Sequence, residues 1–197
     1  MSPAHVLEPT YQRLKRALME GTWANGAKLE AMRLADDFGV SMTPVRDSLN
    51  QLVGEGLVDL TPGDGFRVPV LTEQGLRDVL RVNAVLLETA SDEAWRIPNV
   101  RDLDDWPDDY AGRMAAVFLV LVAGSGNRCL AVLIDRISDR LHRVRIHEPD
   151  VLPDAAEILA EIEASLRGSR NERLRALRRY HRRCEERVPQ LVSRLSG

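Results

Sequence analysis

Tyr11, Leu14 and Leu18 recur at helical spacing, with Trp23 just beyond, and Thr10 stands where an N-cap would accept backbone N–H bonds. A first helix of roughly three turns is predicted there. "NGAK" predicts a turn. "EAMRLADDF" predicts a short second helix with Leu34, Ala35 and Phe38 inward, closed by Gly39, a residue that tolerates positive φ. A third helix follows, capped by Ser41, with Pro44 in its first turn and Val45, Leu49, Leu52 and Val53 on one face. The period then changes: "LVDL" and "FRVPV" are short β-prone runs on either side of "TPGDG", whose proline and two glycines suit a tight hairpin.

From Leu71 onward the spacing is helical again, and no strand is predicted after residue 70. A long helix opens on Thr72 and carries "LLETA"; "RIPNVRDLDDWPDD" is a polar, proline-punctuated connection. Further helices are predicted over "DYAGRMAAVFLVLVAG", from "SGN" through Leu141, from about Pro153 to Leu166, and from Asn171. In the last of these, Leu174, Leu177, His181, Cys184, Val188, Leu191 and Leu195 form a seam of alternating three- and four-residue steps that packs on another helix. Pro189 is expected to kink that helix or end it early. Its other face is mostly arginine between Arg167 and Arg187 and reads as solvated surface. The fold class that follows is mainly α: a winged helix-turn-helix with a small β-hairpin wing over 1–70, then an all-α helical bundle over 71–197.

Composition narrows the picture. The chain has 197 residues, 44% of them hydrophobic, enough for a core. Its longest uncharged apolar run, "MAAVFLVLVAG" from Met114, is too short to span a bilayer, so no membrane partner is expected. With no signal-like start and only Cys129 and Cys184, the expected location is the cytoplasm, with both thiols reduced. Charge is uneven. Residues 1–70 hold seven Lys/Arg against nine Asp/Glu, residues 71–164 ten against eighteen, and residues 165–197 ten against three. A net charge of −2 over the first segment counts against nucleic acid, because phosphate contacts supply most of such affinity.

The helix-turn-helix pattern counts for it. The second of two short helices can present its first turn to base edges, where Arg46 would read phosphate or guanine and Ser41 and Thr43 would donate to phosphate. The run "LADDFGVSMTPVRDSLNQLVGEGLVDLTPGDGFRV" resembles the N-terminal winged helix of the GntR family of bacterial transcriptional regulators, over about residues 8–70. "LLETA", "AGSGN" and the arginine-rich terminal helix resemble, more weakly, the all-helical FCD domain of its FadR-type subfamily. The resemblance implies a homodimer that binds a short palindromic double-stranded DNA operator and responds to a small effector. It places DNA contacts at Ser41, Thr43, Arg46 and Gly65, with Arg33 adjacent to a further contact position as the remaining candidate.

Departures from that family pattern matter. Met42 stands where the family usually has a DNA-reading arginine, Met32 where another often sits, and Asp64 precedes Gly65 in the wing. Lys15, Arg16 and Lys28 are available as supplementary phosphate contacts. The divalent metal of many FCD domains needs one aspartate and three histidines. Here the corresponding places hold Met114, Phe118 and Ala155, and only His181 matches. The other histidines, His5, His142 and His147, lie elsewhere, so no metal and no cofactor are expected. Met114, Phe118, Leu121, Ala155 and His181 would instead line an apolar interior, either filled core or a pocket for a hydrophobic effector. Ala84 replaces an arginine that would anchor a carboxylate, and only 26 residues separate Glu88 from Met114, a reduced version of the domain.

"GSGN" reads as a helix break and cap rather than a phosphate loop, and "DLDDWPDD" as a solvated loop without EF-hand spacing. Without a nucleophile paired to a base, a metal cluster or a nucleotide fingerprint, an enzyme is not expected. The alternative to a DNA-binding regulator is a degenerate family member that acts through protein partners with weak or no DNA binding.

Overall fold

A computed structural model describes residues 4–92 and 106–195. Most of the proline-punctuated connection, with Asp102, Asp104 and Asp105 of its acidic run, lies outside the described residues, as does the side chain of His5. The chain divides into two compact units, one ending at Leu71 and one spanning Thr72–Leu195.

The first unit contains α1 (Ala4–Met19), β1 (Lys28–Leu29), α2 (Ala31–Phe38), α3 (Met42–Glu55), β2 (Asp59–Thr61) and β3 (Gly65–Arg67). Helix α1 starts before the expected Thr10 cap. Pro9 lies near its start, where a missing N–H removes one bond at most, and Thr10 is buried within the helix. Helices α2 and α3 end alike. Gly39 and Gly56 take left-handed φ values of 66° and 74°, and the residues after them, Val40 and Leu57, donate back to Ala35 and Leu52 at 3.0 Å. The sheet is antiparallel with order β1-β3-β2, so the wing has three strands and not only the expected hairpin. Lys28 and Leu29 of β1 pair with Arg67 and Phe66. Leu14, Leu18, Leu34, Val45, Leu49, Leu52 and Val68 form the core, with Phe38, Val40, Val53 and Phe66 packed at its edge. Each such leucine contributes about 1.5–3 kcal/mol on burial.

The second unit is helical throughout its described residues: α4 (Glu73–Asp92), α5 (Tyr110–Ser125), α6 (Arg128–Val151), α7 (Ala155–Ser165), α8 (Arg170–Glu186) and α9 (Val188–Leu195). Local signals set the starts. Thr72 Oγ1 accepts from the Gly75 amide at 3.0 Å, Asp109 from Gly112 at 2.7 Å, and Asn127 from Cys129 and Leu130. Ser169 and Glu172 form a reciprocal capping box. The terminal seam divides at Arg187, and Pro189 falls in the first turn of α9, where its missing N–H is harmless. Helix α6 runs ten residues beyond the expected end at Leu141, because Val144, Arg145 and Glu148 continue its buried spacing with charged residues in apolar places. No helix among the described residues is long and apolar enough to cross a membrane.

Candidate functional site

The first turn of α3 is built to be solvent-facing. Val45, Ser48, Leu49 and Leu52 point into the core, which leaves Ser41, Met42, Thr43, Arg46, Asp47 and Asn50 exposed. Met42, Arg46 and Asn50 stand at i, i+4 and i+8, a single stripe along the helix. Asp47 and Asn50 were not singled out from sequence; their spacing from Thr43 and Arg46 was the available signal. Arg46 makes no hydrogen bond or ion pair among the described residues.

Ser41 occupies the N-cap of α3 with φ −74° and ψ 163°, yet its hydroxyl caps nothing. The cause lies in the sequence. An N-cap oxygen takes its bond from the second or third helical amide, and the third here is Pro44, which has no N–H. The Pro44 carbonyl is itself used, accepting from the Ser48 hydroxyl at 2.7 Å. The Thr43 amide does not bond to it either, and the Ser41 hydroxyl is uncommitted.

The wing is tied down rather than charged. Thr61 to Asp64 close a turn by a 3.1 Å bond, with Pro62 and Gly63 (φ 82°) at its centre, and Gly65 follows at φ 85°. Arg67 grips both carboxylate oxygens of Asp64, at 2.5 and 2.9 Å, and donates to the Gly26 carbonyl at 2.9 Å. The hydrogen bonds from Arg67 hold the Asp64 carboxyl below its usual range. Asp64 is therefore neutralised within the wing instead of confronting phosphate as an isolated charge. Of the supplementary cations, Arg16 and Lys28 are exposed, whereas Lys15 pairs with Glu55 at 3.7 Å and is committed to the fold. Arg33 is exposed on α2 and lines a cleft with Trp23, Lys28 and Asp37.

The interior of the helical unit departs from expectation. Met114, Phe118, Leu121, Ala155 and His181 are all buried, but the interior of the unit is not wholly apolar. Arg145 and Glu148 are fully buried as well, as are Tyr180, Cys184 and Asn83. Tyr180 donates to Glu148 at 2.9 Å and stacks edge-on against Phe118, with ring centroids 5.6 Å apart. The Arg145 guanidinium lies 5.0 Å from the Phe118 ring centroid, and its Nε, Nη1 and Nη2 have no hydrogen-bond partner among the described residues. Burial raises the Glu148 carboxyl, while Arg145, Tyr180, Tyr110 and Cys184 act to lower it.

His181 is held as a neutral imidazole. Its Nδ1 lies 2.8 Å from the Leu177 carbonyl and its Nε2 3.0 Å from the Asn83 amide nitrogen, so the tautomer that satisfies both donates from Nδ1 and accepts at Nε2. Burial, aided by the Arg145 charge, pushes its pKa down to about 4. Among the described residues no group of three or more His, Cys, Asp or Glu could hold a metal ion.

The arginine face of α8, expected to be solvated, is largely paired. Arg178 reaches Glu88 on α4 at 2.8 Å; Arg179 reaches Glu161 at 2.6 Å and Asp154 at 3.1 Å; Arg183 reaches Asp154 at 3.0 Å. These bonds fasten α8 to α4, to α7 and to Asp154 at the head of α7.

Comparison with known proteins agrees with this geometry. Residues 8–68 match the family described as bacterial regulatory proteins, gntR family. The HTH-type transcriptional regulator YdhC of Bacillus subtilis is 26% identical over 152 residues, covering 69% of this chain and 68% of its own. The HTH-type transcriptional repressor GlaR of Escherichia coli is 25% identical, covering 68% and 70%. In fold, the chain is similar to E. coli McbR/YncC (TM-score 0.69, 20% identity, 96% and 98% of the two chains covered). It is similar also to a transcriptional regulator from Rhodococcus (TM-score 0.70, 18% identity, 93% and 97% covered). These relatives are transcriptional regulators and not enzymes, and the match over 8–68 gives the first unit of this chain a GntR-type DNA-binding domain.

Proposed function

We propose that the chain acts in the cytoplasm as a homodimer on a palindromic operator, with α3 in the major groove and the Gly63–Gly65 wing tip at the adjacent minor groove. The supporting observation is the exposed start of α3: Ser41, Thr43 and Arg46 face outward, and Arg46 is not engaged by the protein itself. Helix-turn-helix geometry presents that turn to base edges. Arg33 and Gly65 complete the set as flanking backbone contacts. Fluorescence anisotropy with the chain's own promoter tests the reading: binding that weakens steeply with salt and is lost in Arg46→Ala supports it. No binding at low salt would favour action through protein partners.

The helical unit supplies dimer contacts and accepts a small effector in this proposal, as an FCD-like domain of the FadR type would. The buried Arg145, with three nitrogens unpartnered, favours an effector carrying an acid group over the wholly apolar one that Met114, Phe118, Leu121 and Ala155 suggested. His181 borders that interior as a hydrogen-bonding group and not as a metal ligand. Sedimentation equilibrium reads the dimer. Thermal shift against a panel of small carboxylic acids, wild type beside Arg145→Met, reads the effector: a stabilising acid that loses its effect in the variant is the expected result.

A further inference from the structure

We infer that Met42 reads the 5-methyl group of a thymine in each operator half-site, which makes it a specificity-determining residue. The inference rests on the DNA-binding reading above. Met42 is the first residue of α3 and is 43% exposed. Its neighbours Val40 and Val45 pack into or against the core, but Met42 takes no part in that cluster. It shares the stripe with Arg46 one turn on, and both therefore address the same groove.

The chemistry of the groove then limits what Met42 can recognise. A thioether has no hydrogen to donate and is a weak acceptor, so it cannot satisfy the O6 and N7 acceptors of guanine or the N4 donor of cytosine. Opposite either base it would strip water from polar edges and return nothing. The thymine methyl is the one apolar group that the four bases expose in the major groove. Contact there removes apolar surface from water on both partners. Arg46 supplies the polar reading on the same face, and Met42 the apolar one.

The test uses the full-length chain and duplexes it selects from a random pool. Each thymine of a selected half-site is replaced in turn by deoxyuridine, which lacks only the 5-methyl, and affinity is read by anisotropy. One thymine per half-site should show a loss of about four-fold on replacement, the factor expected for one methyl group. Met42→Ala should be indifferent to that replacement, and Met42→Arg should prefer guanine at the same position. Because Met42 lies outside the core, both variants should keep the wild-type melting temperature. Wild type that tolerates uracil at every position, or a methyl effect that survives in Met42→Ala, overturns the inference while leaving DNA binding intact. Failure to select any duplex overturns the DNA reading itself, and this inference with it.

Discussion

The two units place charge on opposite sides of their cores. In the first, the interior is aliphatic and aromatic, and Arg33, Arg46 and Asp47 stand outside it. In the second, Arg145, Glu148 and His181 are inside, while much of the arginine on α8 is spent on bonds between helices. An exposed arginine costs the fold nothing and is available to a large polyanion. A buried one constrains what else the interior can hold, since an isolated charge there is expensive unless something answers it. The first arrangement suits a reader of surfaces; the second is the one proposed above to answer an acid effector.

That contrast can be broken by experiment. Arg46→Ala should weaken operator binding by about 2–6 kcal/mol in a two-fold complex, from roughly 1–3 kcal/mol per contact, with the unfolding transition unmoved. If the melting temperature falls instead, Arg46 belongs to the fold and the contrast fails. Within the second unit, His181 gives a pH signature. Its folded pKa of about 4 lies below the ordinary 6.5, so its contribution is present above pH 6.5 and is lost as pH falls toward 4. The loss is about 3 kcal/mol at the acid limit. Glu148, whose folded pKa is raised, acts in the opposite sense, losing its contribution as pH rises through its folded value. The decisive quantity is thus urea-unfolding stability of wild type minus His181→Gln as a function of pH, and a flat difference would refute a buried neutral imidazole.

Arg145→Met should lower stability by about 3–5 kcal/mol, because it removes the cation that offsets the buried Glu148 carboxyl. Unchanged or higher stability on calorimetry would show that the charge is not answered inside the bundle. The smallest effect belongs to the wing. Arg67→Ala should leave the melting temperature nearly unchanged but release Asp64, and operator affinity should fall modestly, more at low salt than at high.

How readily each part could be read from sequence follows the same contrast. The helix-turn-helix was visible because its apolar residues keep strict spacing and glycines mark the ends, and its exposed stripe follows by subtraction. Strand β1 was not visible, since two residues carry no period. The continuation of α6 was missed because Arg145 and Glu148 sit on the seam where an apolar count sees a break, although their spacing from Leu141 and Val144 is helical. The role of the α8 arginines was hidden for another reason. Their partners Glu88 and Asp154 are 90 and 25 residues distant in the chain for Arg178 and Arg179, and pairing across such separations leaves no local trace.

Pro44 acts through what it withholds. By removing the third amide of α3 it denies Ser41 one of the two partners that would make it a helix cap, and so the hydroxyl at the head of the reading stripe is kept unoccupied. A change to alanine would restore that partner, and the helix would close upon its own first turn with a gain of about 1 kcal/mol. The same step would retire Ser41 from the surface. A more stable domain and a poorer reader of DNA would then be one and the same substitution.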